Sequence, residues 1–172
     1  MKEIRWHARA GQGAKTASQL YATARLHEGQ SVQAFPEYGP ERRGAPLRAY
    51  TRIDDKPIRR HDAIMHPDVV VVLEPSLLHE VDVAEGLAPD GIVLLNADTA
   101  PASLAGLDVR CVPAARIAGD SKFVNLVLVG ALAAVLHDPV DAVADAAVEL
   151  LGGKVAHDEI RTAVEKGYAC LS

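Results

Sequence analysis

The chain has 172 residues, 49% of them hydrophobic and only 4% aromatic, so it is long enough to bury a core built mainly from aliphatic side chains. No apolar run reaches the length of a membrane span, the first residues lack the apolar stretch of a secretory signal, and no nucleic-acid-binding motif is present. We therefore expect one cytoplasmic domain over residues 1–172, with no membrane span and no nucleic-acid partner.

Charge is distributed unevenly along the chain. Residues 1–61 carry 12 of the 18 Lys and Arg side chains and 6 of the 23 Asp and Glu side chains, a net charge of +6, whereas residues 62–172 have a net charge of −11. A basic third joined to an acidic remainder indicates a surface for an anion or for an acidic partner.

The first predicted elements are a strand, a glycine turn and a helix. Residues 3–8 alternate polar and apolar side chains, which predicts a strand, and residues 14–28 have Ala and Leu at helical spacing. Gly11 and Gly13 supply a tight turn at the helix N-terminus, where backbone N–H groups attract anions. Thr16 stands where a dinucleotide-binding fingerprint has its third glycine, so that fingerprint is incomplete.

A segment dense in turn formers, residues 35–46, follows a second predicted strand over residues 30–35. Its prolines and glycines exclude a helix or a regular central strand, so we predict a structured loop. Glu41, Arg42 and Arg43 lie inside it. Arginine forks suit carboxylate and phosphate groups, and a stiff loop lowers the entropy lost in presenting them.

The middle of the chain is predicted to be mainly strand. Residues 47–53 alternate well and are expected to form a β-hairpin with residues 58–61. Four consecutive valines within residues 68–73 indicate a strand buried on both faces, as in a parallel sheet. Residues 91–96 and 108–112 predict further strands. The expected fold class is therefore α/β, with an open and mainly parallel sheet flanked by helices.

Three further helices are predicted from caps and amphipathic spacing. Ser76 is a candidate cap for a helix after the valine strand. Residues 140–151 are amphipathic, and Asp158 is a candidate cap for a last helix over residues 158–168.

Residues 123–136 form an almost wholly apolar segment that is interrupted by Asn125. The segment is too short to cross a membrane, so it is buried either within the domain or at a subunit interface. We expect the isolated chain to be poorly soluble or oligomeric for this reason. We expect this segment to be helical. A buried amide needs hydrogen-bond partners, so Asn125 is either a clamp between this helix and a loop or part of a site.

No self-sufficient active site is visible in the sequence. The 7 histidines show no metal-ligand spacing, Cys111 and Cys170 are far apart and form no CxxC pair, and no nucleophile elbow is present. We predict no catalytic residue and no metal site in this chain and interpret it as a subunit.

Three motifs together resemble the γ subunit of the 2-oxoacid:acceptor oxidoreductases, the pyruvate:ferredoxin oxidoreductase family. They are Arg9-Ala-Gly-Gln-Gly13 at the start of a helix, Ala34-Phe-Pro-Glu-Tyr-Gly-Pro-Glu-Arg-Arg-Gly-Ala-Pro46 and Thr51-Arg-Ile-Asp54. The resemblance covers essentially the whole chain, and the Gly-Pro-Glu-Arg-Arg-Gly block is its most specific part. Members commonly have glycines at the positions of Ala8 and Ala10, so the first turn of this chain is bulkier.

This resemblance implies a Rossmann-like domain within a multi-subunit enzyme that oxidatively decarboxylates a 2-oxoacid to an acyl-CoA. Thiamine diphosphate, Mg²⁺ and [4Fe-4S] clusters are then expected on other subunits, of α, β and ferredoxin-like δ type. This chain alone binds no cofactor, and its two cysteines are too few to hold a cluster. The 2-oxoacid (pyruvate, branched, 2-oxoglutarate or aryl glyoxylate), the stoichiometry, and the electron acceptor, ferredoxin or NAD through an extra subunit, are left open.

Since the γ part of that family is associated with coenzyme A, the resemblance also implies a set of residues that face this substrate or the active site. They are Gly11, Gln12, Gly13, Glu41, Arg42, Arg43 and Asn125. One loop arginine is expected to face the coenzyme A or thiamine region and the other a subunit interface. Two alternatives stay open: a stand-alone dinucleotide-binding oxidoreductase and a purely structural adaptor subunit.

Overall fold

The computed structural model describes residues 1–37 and 44–172. Within these ranges six β-strands form one sheet and five α-helices pack against it. The strands are Lys2–Arg9 (β1), Ser31–Pro36 (β2), Pro46–Asp54 (β3), Val69–Val72 (β4), Ile92–Leu95 (β5) and Asp108–Cys111 (β6). The α-helices are Ala14–His27 (α1), Ala114–Ala118 (α2), Val124–Leu136 (α3), Val140–Leu151 (α4) and His157–Ala169 (α5). Short 3-10 helices span Pro75–His79, Ala102–Leu104 and Ser121–Phe123.

The strand order in the sheet is β2-β3-β1-β4-β5-β6. β1, β4, β5 and β6 run parallel to one another, whereas β3 runs antiparallel to both of its neighbours, β1 and β2. The expected α/β class, with an open, mainly parallel and Rossmann-like sheet, is therefore confirmed. The valine strand β4 is buried along its whole length, as the absence of a polar face in its sequence predicts.

The β-hairpin is present, but it joins different strands from those expected. β3 pairs with β2 from Ser31↔Asp54 to Pro36↔Ala49, and residues 58–61 form no strand. β3 has β2 on one edge and β1 on the other, so it has no edge left for residues 58–61.

Two expected helix caps are wrong. After β4 the chain forms the 3-10 helix Pro75–His79 rather than an α-helix. Its capping side chain is that of Glu74, which accepts a hydrogen bond of 3.1 Å from the backbone N–H of Ser76. α5 begins at His157, so Asp158 lies in its first turn and not at its N-cap. A carboxylate in the first turn still interacts favourably with the partial positive charge of the helix N-terminus.

All five α-helices contribute to a hydrophobic core on one face of the sheet. Side chains alternate along a strand, so every second residue of β1 and β3 points to this face. Trp6 of β1 illustrates the packing. Its ring is fully buried and meets Tyr21 of α1 edge-on, and its Nε1 donates to Thr51 Oγ1 of β3 at 3.0 Å.

The opposite face of the sheet is covered by the connections after β4 and β5. Leu77, Val83 and Leu104, which lie in these connections, pack against alternate side chains of β4 and β5 and form a second, smaller core. The helices therefore form a layer on one face only, and the other face has a cover of turns and 3-10 helices.

Arg5 fastens this cover to β1. Its guanidinium donates to the carbonyl O of Val83 at 3.0 Å and to that of Glu85 at 2.6 Å, and its Nε donates to His7 Nε2 at 3.1 Å. Burial, together with the positive charges of Arg5 and Arg48, lowers the pKa of His7 to about 3. His7 is therefore neutral at physiological pH and serves as a buried hydrogen-bond acceptor.

The apolar helix α3 is buried within the chain and not at a subunit interface. The segment from Leu126 to Ala134 is almost inaccessible to solvent, and none of the helices within the described ranges is both long and apolar enough to span a bilayer. The poor solubility or oligomerisation expected of the isolated chain stays a prediction.

Two glycines allow α3 and α5 to approach closely. A Cβ atom on Gly130 would lie 1.9 Å from the carbonyl O of Val164, and one on Gly167 would lie 1.9 Å from the carbonyl O of Val127. Each glycine thus faces the backbone of the other helix, and any side chain there would force the two helices apart.

Gly130→Ala and Gly167→Ala are each expected to destabilise the fold, because a backbone carbonyl cannot move aside as a flexible side chain can. Overpacking costs about 1–3 kcal/mol, and 1 kcal/mol lowers the Tm of a domain of this size by about 2–4 °C. Thermal unfolding of the purified variants measures the effect. Gly153→Ala is the matched control, because a Cβ on Gly153 would meet no atom within 4 Å. An equal loss of Tm in that variant would contradict the close-packing argument.

Lowering the pH from 6.5 to 5 is expected to destabilise the chain by about 1.5 kcal/mol through His7 alone. The pKa of His7 is lowered from 6.5 to about 3 on folding. Over this interval the unfolded chain therefore takes up a proton while the folded chain does not, and unfolding becomes more favourable as the pH falls. His7→Gln retains an acceptor for Arg5 and removes the titration. Denaturant unfolding at the two pH values should show a weaker pH dependence for the variant; an unchanged dependence would contradict the prediction.

Candidate functional site at the carboxyl edge of the sheet

The carboxyl ends of the parallel strands define one edge of the sheet, and the candidate site lies there. β1 and β4 are neighbours and end at Arg9 and Val72, so the segments that follow them lie side by side. β3 starts at the same edge, because it is antiparallel to β1 and Arg9 lies opposite Pro46. Ligands of open α/β sheets bind at this edge.

The expected glycine turn is present between β1 and α1. The backbone N–H of Gln12 donates to the carbonyl O of Arg9 at 3.1 Å. Gly11 and Gly13 have φ angles of 97° and 81°, which residues with side chains disfavour. Gly13 is the N-cap residue of α1 and has no side chain to satisfy the first-turn N–H groups. This helix end is consequently suited to an anionic group.

Asn125, at the start of α3, lies directly behind the turn. Its Nδ2 donates to the carbonyl O of Gly13 at 3.5 Å, and its Oδ1 accepts from the backbone N–H of Leu126 at 3.0 Å. A Cβ on Gly13 would lie 2.7 Å from Asn125 Nδ2, so this glycine leaves room for the amide. Asn125 therefore clamps α3 to the turn, which is one of the two roles that the sequence left open.

Gln12 folds back over the turn, whereas Gly11 is open. The Oε1 of Gln12 accepts from the backbone N–H of Arg9 at 2.7 Å, and its Nε2 donates to Glu74 Oε2 at 2.7 Å. Gly11 is exposed, and a Cβ on it would meet no atom within 4 Å. Of the three predicted turn residues, Gly11 is thus the one whose surroundings leave space for a ligand beside the backbone.

Arg9 connects the turn to two other segments. Its guanidinium donates to the carbonyl O of Gly44 at 3.1 Å, to Ser76 Oγ at 2.8 Å and to the carboxylate of Glu80. One side chain therefore touches the end of the proline-rich loop and the 3-10 helix that follows β4.

The remaining predicted site residues, Glu41, Arg42 and Arg43, lie outside the described residues. The end of their loop at Ala45 is described. There the backbone N–H of Ala10 donates to the carbonyl O of Ala45 at 2.9 Å. The structure thus brings together the glycine turn, the amide of α3 and the base of the proline-rich loop, which are distant in the sequence.

Ion pairing sets the charge of this edge. The hydrogen bond between Arg9 and Glu80 lowers the pKa of the carboxyl group and raises that of the guanidinium. Burial would raise the pKa of Glu74, but hydrogen bonds, first that from Gln12, and the charge of Arg9 outweigh it and lower the pKa. Both carboxylates are therefore ionised at neutral pH. The positive charge for a large anionic ligand has to come from elsewhere, such as Lys15 in the first turn of α1 or the loop arginines.

Sequence reasoning missed Arg9, Glu74, Glu80 and Asn96 as members of this edge. Asn96 directly follows β5. Its Nδ2 donates to the carbonyl O of Leu73, the residue after β4, at 2.9 Å. Arg9, Glu74 and Asn96 could have been predicted, because each is a polar residue at the end of a buried strand, where open α/β sheets bind ligands. No such signal existed for Glu80, which reaches the edge because the 3-10 helix before it folds back.

The described part of the chain contains no group of three or more His, Cys, Asp or Glu side chains that could hold a metal ion. Cys111 ends β6 and is half-buried, which raises the pKa of its thiol, and Cys170 is exposed just after α5. The two thiols thus lie in separate parts of the fold.

Comparison with known proteins decides the family. Residues 3–170 match the family model described as pyruvate ferredoxin/flavodoxin oxidoreductase. The chain belongs to this family. The resemblance that the three sequence motifs indicated is thereby confirmed.

Curated members of the pyruvate ferredoxin/flavodoxin oxidoreductase family align with much of the chain. The common γ subunit of the pyruvate and ketoisovalerate oxidoreductases of Thermococcus kodakarensis is 60% identical over 98 residues, 57% of this chain and 53% of the relative. Here the chain spans about half the length of the relative that it matches. The pyruvate synthase subunit PorC of Methanothermobacter marburgensis is 48% identical over 139 residues, 78% of this chain and 77% of the relative.

Solved structures show the same fold in this family. The pyruvate oxidoreductase subunit PORC of Thermotoga maritima is 38% identical, with a TM-score of 0.83 over 98% of this chain and 95% of that chain. A 2-oxoglutarate:ferredoxin oxidoreductase from Magnetococcus marinus, solved with 2-oxoglutarate, coenzyme A and succinyl-CoA bound, gives a TM-score of 0.84 at 17% identity. The match covers 99% of this chain and 31% of that one, so the second comparison shows that the fold also occurs within a longer chain.

Gly13→Ala is expected to destabilise the chain more than Gly11→Ala. Both substitutions place a side chain at positive φ, which costs roughly 1–2 kcal/mol, but only the Gly13 variant also collides with Asn125. Overpacking adds about 1–3 kcal/mol. Truncating the amide as well, in Gly13→Ala/Asn125→Ala, should recover part of this additional loss, because the atoms in conflict are removed. Denaturant unfolding of the four variants, including Asn125→Ala alone, gives the coupling free energy between positions 13 and 125. If the losses of unfolding free energy from Gly13→Ala and Asn125→Ala were strictly additive, Asn125 would not be a clamp.

Proposed function

We propose that this chain is the γ subunit of a multi-subunit, thiamine diphosphate-dependent 2-oxoacid oxidoreductase that converts a 2-oxoacid to an acyl-CoA. The observation that carries the proposal is the family match, which extends over residues 3–170. Relatives that share long alignments with this chain are named as γ or PorC subunits. The whole chain then acts as one γ-type domain in a cytoplasmic complex.

The proposed contribution of this subunit is part of the coenzyme A site, at the carboxyl edge of the sheet. Gly11 leaves open space beside a positive-φ backbone, and α1 begins there with uncapped N–H groups. Those groups, Lys15 and the loop that carries Arg42 and Arg43 are suited to the phosphates of coenzyme A. Asn125 supports the turn by donating to the carbonyl O of Gly13, and Gln12 ties the turn to Glu74.

The cofactors of the reaction are proposed to lie on other subunits. A [4Fe-4S] cluster needs four cysteine thiolates, and this chain has two cysteines, so its residues do not fit a cluster. The described residues do not fit a Mg²⁺ site of three or more acidic or imidazole ligands either. The proposed partners are therefore α and β type subunits for thiamine diphosphate and a ferredoxin-like δ subunit for electron transfer, with ferredoxin or NAD as the final acceptor.

The strand order does not favour the alternative of a stand-alone dinucleotide-binding protein. In such folds the second strand lies beside the first and ends near the ribose with an acidic residue. Here β3 separates β2 from β1. The acid at the end of β2, Glu37, accepts a hydrogen bond from Tyr50 of β3. Saturable binding of NADH to the purified chain would overturn this argument.

Arg42→Ala and Arg43→Ala test the proposed role in the assembled complex. A hydrogen bond to a charged group contributes about 1.5–3 kcal/mol, which corresponds to about ten- to a hundredfold in an equilibrium constant. We expect one variant to raise the KM for coenzyme A by about this factor while the complex still assembles. The other variant should weaken assembly, because its arginine crosses a subunit interface.

Co-purification and steady-state kinetics with each 2-oxoacid, measured for both variants, separate these effects. Arg110→Ala is the control, because Arg110 pairs with Asp108 on the exposed strand β6. Should both loop variants assemble and turn over like the wild type, the subunit would be a structural adaptor and the coenzyme A proposal would be wrong.

A further inference from the structure

β2 is the last strand on one side of the sheet, and β6 is the last strand on the other. Such strands present a row of N–H and C=O groups to any passing strand, and native proteins usually protect them with charged side chains. β6 follows this rule, because Asp108 and Arg110 form an exposed ion pair on it. β2, Ser31–Pro36, has no charged residue. The outer side of β2 therefore lacks the usual protection against pairing with another strand.

The hydrogen bonds between β2 and β3 show which backbone groups point to the outer side of β2. Glu37 continues the register of this pair, and its N–H donates to the carbonyl O of Arg48 at 2.9 Å. Along an antiparallel strand, alternate residues direct their N–H and C=O groups to opposite sides. Gln33 therefore directs its backbone groups to β3, as Glu37 does, whereas Val32 and Ala34 direct theirs outward.

An apolar groove lies beside the outer side of β2, between this strand, α1 and the end of α4. It has a volume of about 350 Å³ and is lined by two polar residues of α1 and by Ala22, Leu26, Val32, Ala34 and Leu150. Leu26 is 54% exposed and Leu150 is 39% exposed, so two of the five exposed large hydrophobic residues in the described part of the chain line this groove. Outward backbone groups and exposed apolar surface are thus found in the same place.

We propose that the outer side of β2 is an interface between two copies of this chain, in which the two β2 strands pair antiparallel about a two-fold axis at Gln33. In this register Val32 of each copy lies opposite Ala34 of the other, so each outward N–H of these residues meets a carbonyl O. A register centred on Ala34 would instead place Val32 opposite Pro36, which has no N–H. The outward carbonyl O of Val32 would then lack a donor.

Two features favour a second copy over a strand of another protein. Residues near a two-fold axis lie close to their own counterparts, where like charges repel each other, and β2 carries no charge. An axis perpendicular to the sheet also keeps both helical layers on the same face. The two α1 helices then meet above the paired strands, and Leu26 and Leu150 of each copy cover the groove of the other. The inference does not depend on the proposed function.

Disulfide cross-linking of the purified full chain tests the register. Gln33→Cys is made together with Cys111→Ser and Cys170→Ser, which remove the native thiols. Gln33 and its counterpart form a non-hydrogen-bonded pair in the proposed register, with Cα atoms about 4.5 Å apart, a distance that a disulfide spans. Mild oxidation with diamide should therefore give a disulfide-linked dimer on a non-reducing gel.

Ser31→Cys in the same background is the matched control. Ser31 lies on the same strand and points to the same face as Gln33. In the proposed register, however, it is separated from its counterpart by about 13 Å along the strands, the rise of four residues. This variant should therefore give no linked dimer under the same conditions.

Sedimentation equilibrium of the full chain tests the apolar contact. The wild type should be a dimer that dissociates on dilution. Leu26→Ser should raise the dimer Kd about tenfold or more, because the two-fold axis removes the leucine from both sides of the interface. Leu107→Ser should leave the Kd unchanged, since Leu107 is comparably exposed, at 41%, but lies just before β6.

Three results would overturn the proposal. A wild-type chain that stays monomeric at all concentrations would mean that no second copy binds β2. Equal cross-linking of the Ser31→Cys and Gln33→Cys variants would exclude the register. Equal dimer Kd values for Leu26→Ser and wild type would show that the copies associate through a different surface.

Discussion

The position of β1 between β3 and β4 is the constraint on which the rest of the structure depends. β1 pairs with β3 along its whole length in antiparallel orientation and with β4 in parallel orientation. Its carboxyl end therefore lies beside the beginning of β3 and the end of β4. That arrangement allows the single side chain of Arg9 to contact Gly44 and Ser76 at the same time.

The helical layer supports the same edge from the other side. Gly130 and Gly167 hold α3 and α5 at a distance that only glycines allow, and α3 begins next to the glycine turn with Asn125. Because the Asn125 amide contacts Gly13, the position of the turn depends on how α3 packs. Helix packing and the geometry of the candidate site are thus linked through one side chain, although no helix-packing residue needs to touch a ligand.

The features that could be predicted from the sequence have local signals. The four valines of β4 indicate a buried strand whatever its neighbours are. The two glycines of the first turn indicate where a helix begins. The choice between β2 and residues 58–61 as the partner of β3 could not be predicted, because it depends on β1 occupying the other edge. The hydrogen-bond partners of Arg9 could not be predicted either, because they belong to two other segments of the chain that meet only in the folded sheet.

Conformational entropy distinguishes the carboxyl edge from the rest of the fold. Gly11, Gly13 and Gly44 surround Arg9 and all have positive φ. Glycine loses more backbone freedom on folding than any other residue, so ordering this edge costs more per residue than ordering β1 or β3. Gly11 and Gln12 are exposed, whereas most of β1 is buried, so less apolar burial offsets that cost. Amide hydrogens at the edge should therefore exchange faster than those of the β1–β3 ladder. Whatever binds this edge, a ligand or a neighbouring subunit, would also order it, so occupancy and local stability would rise together.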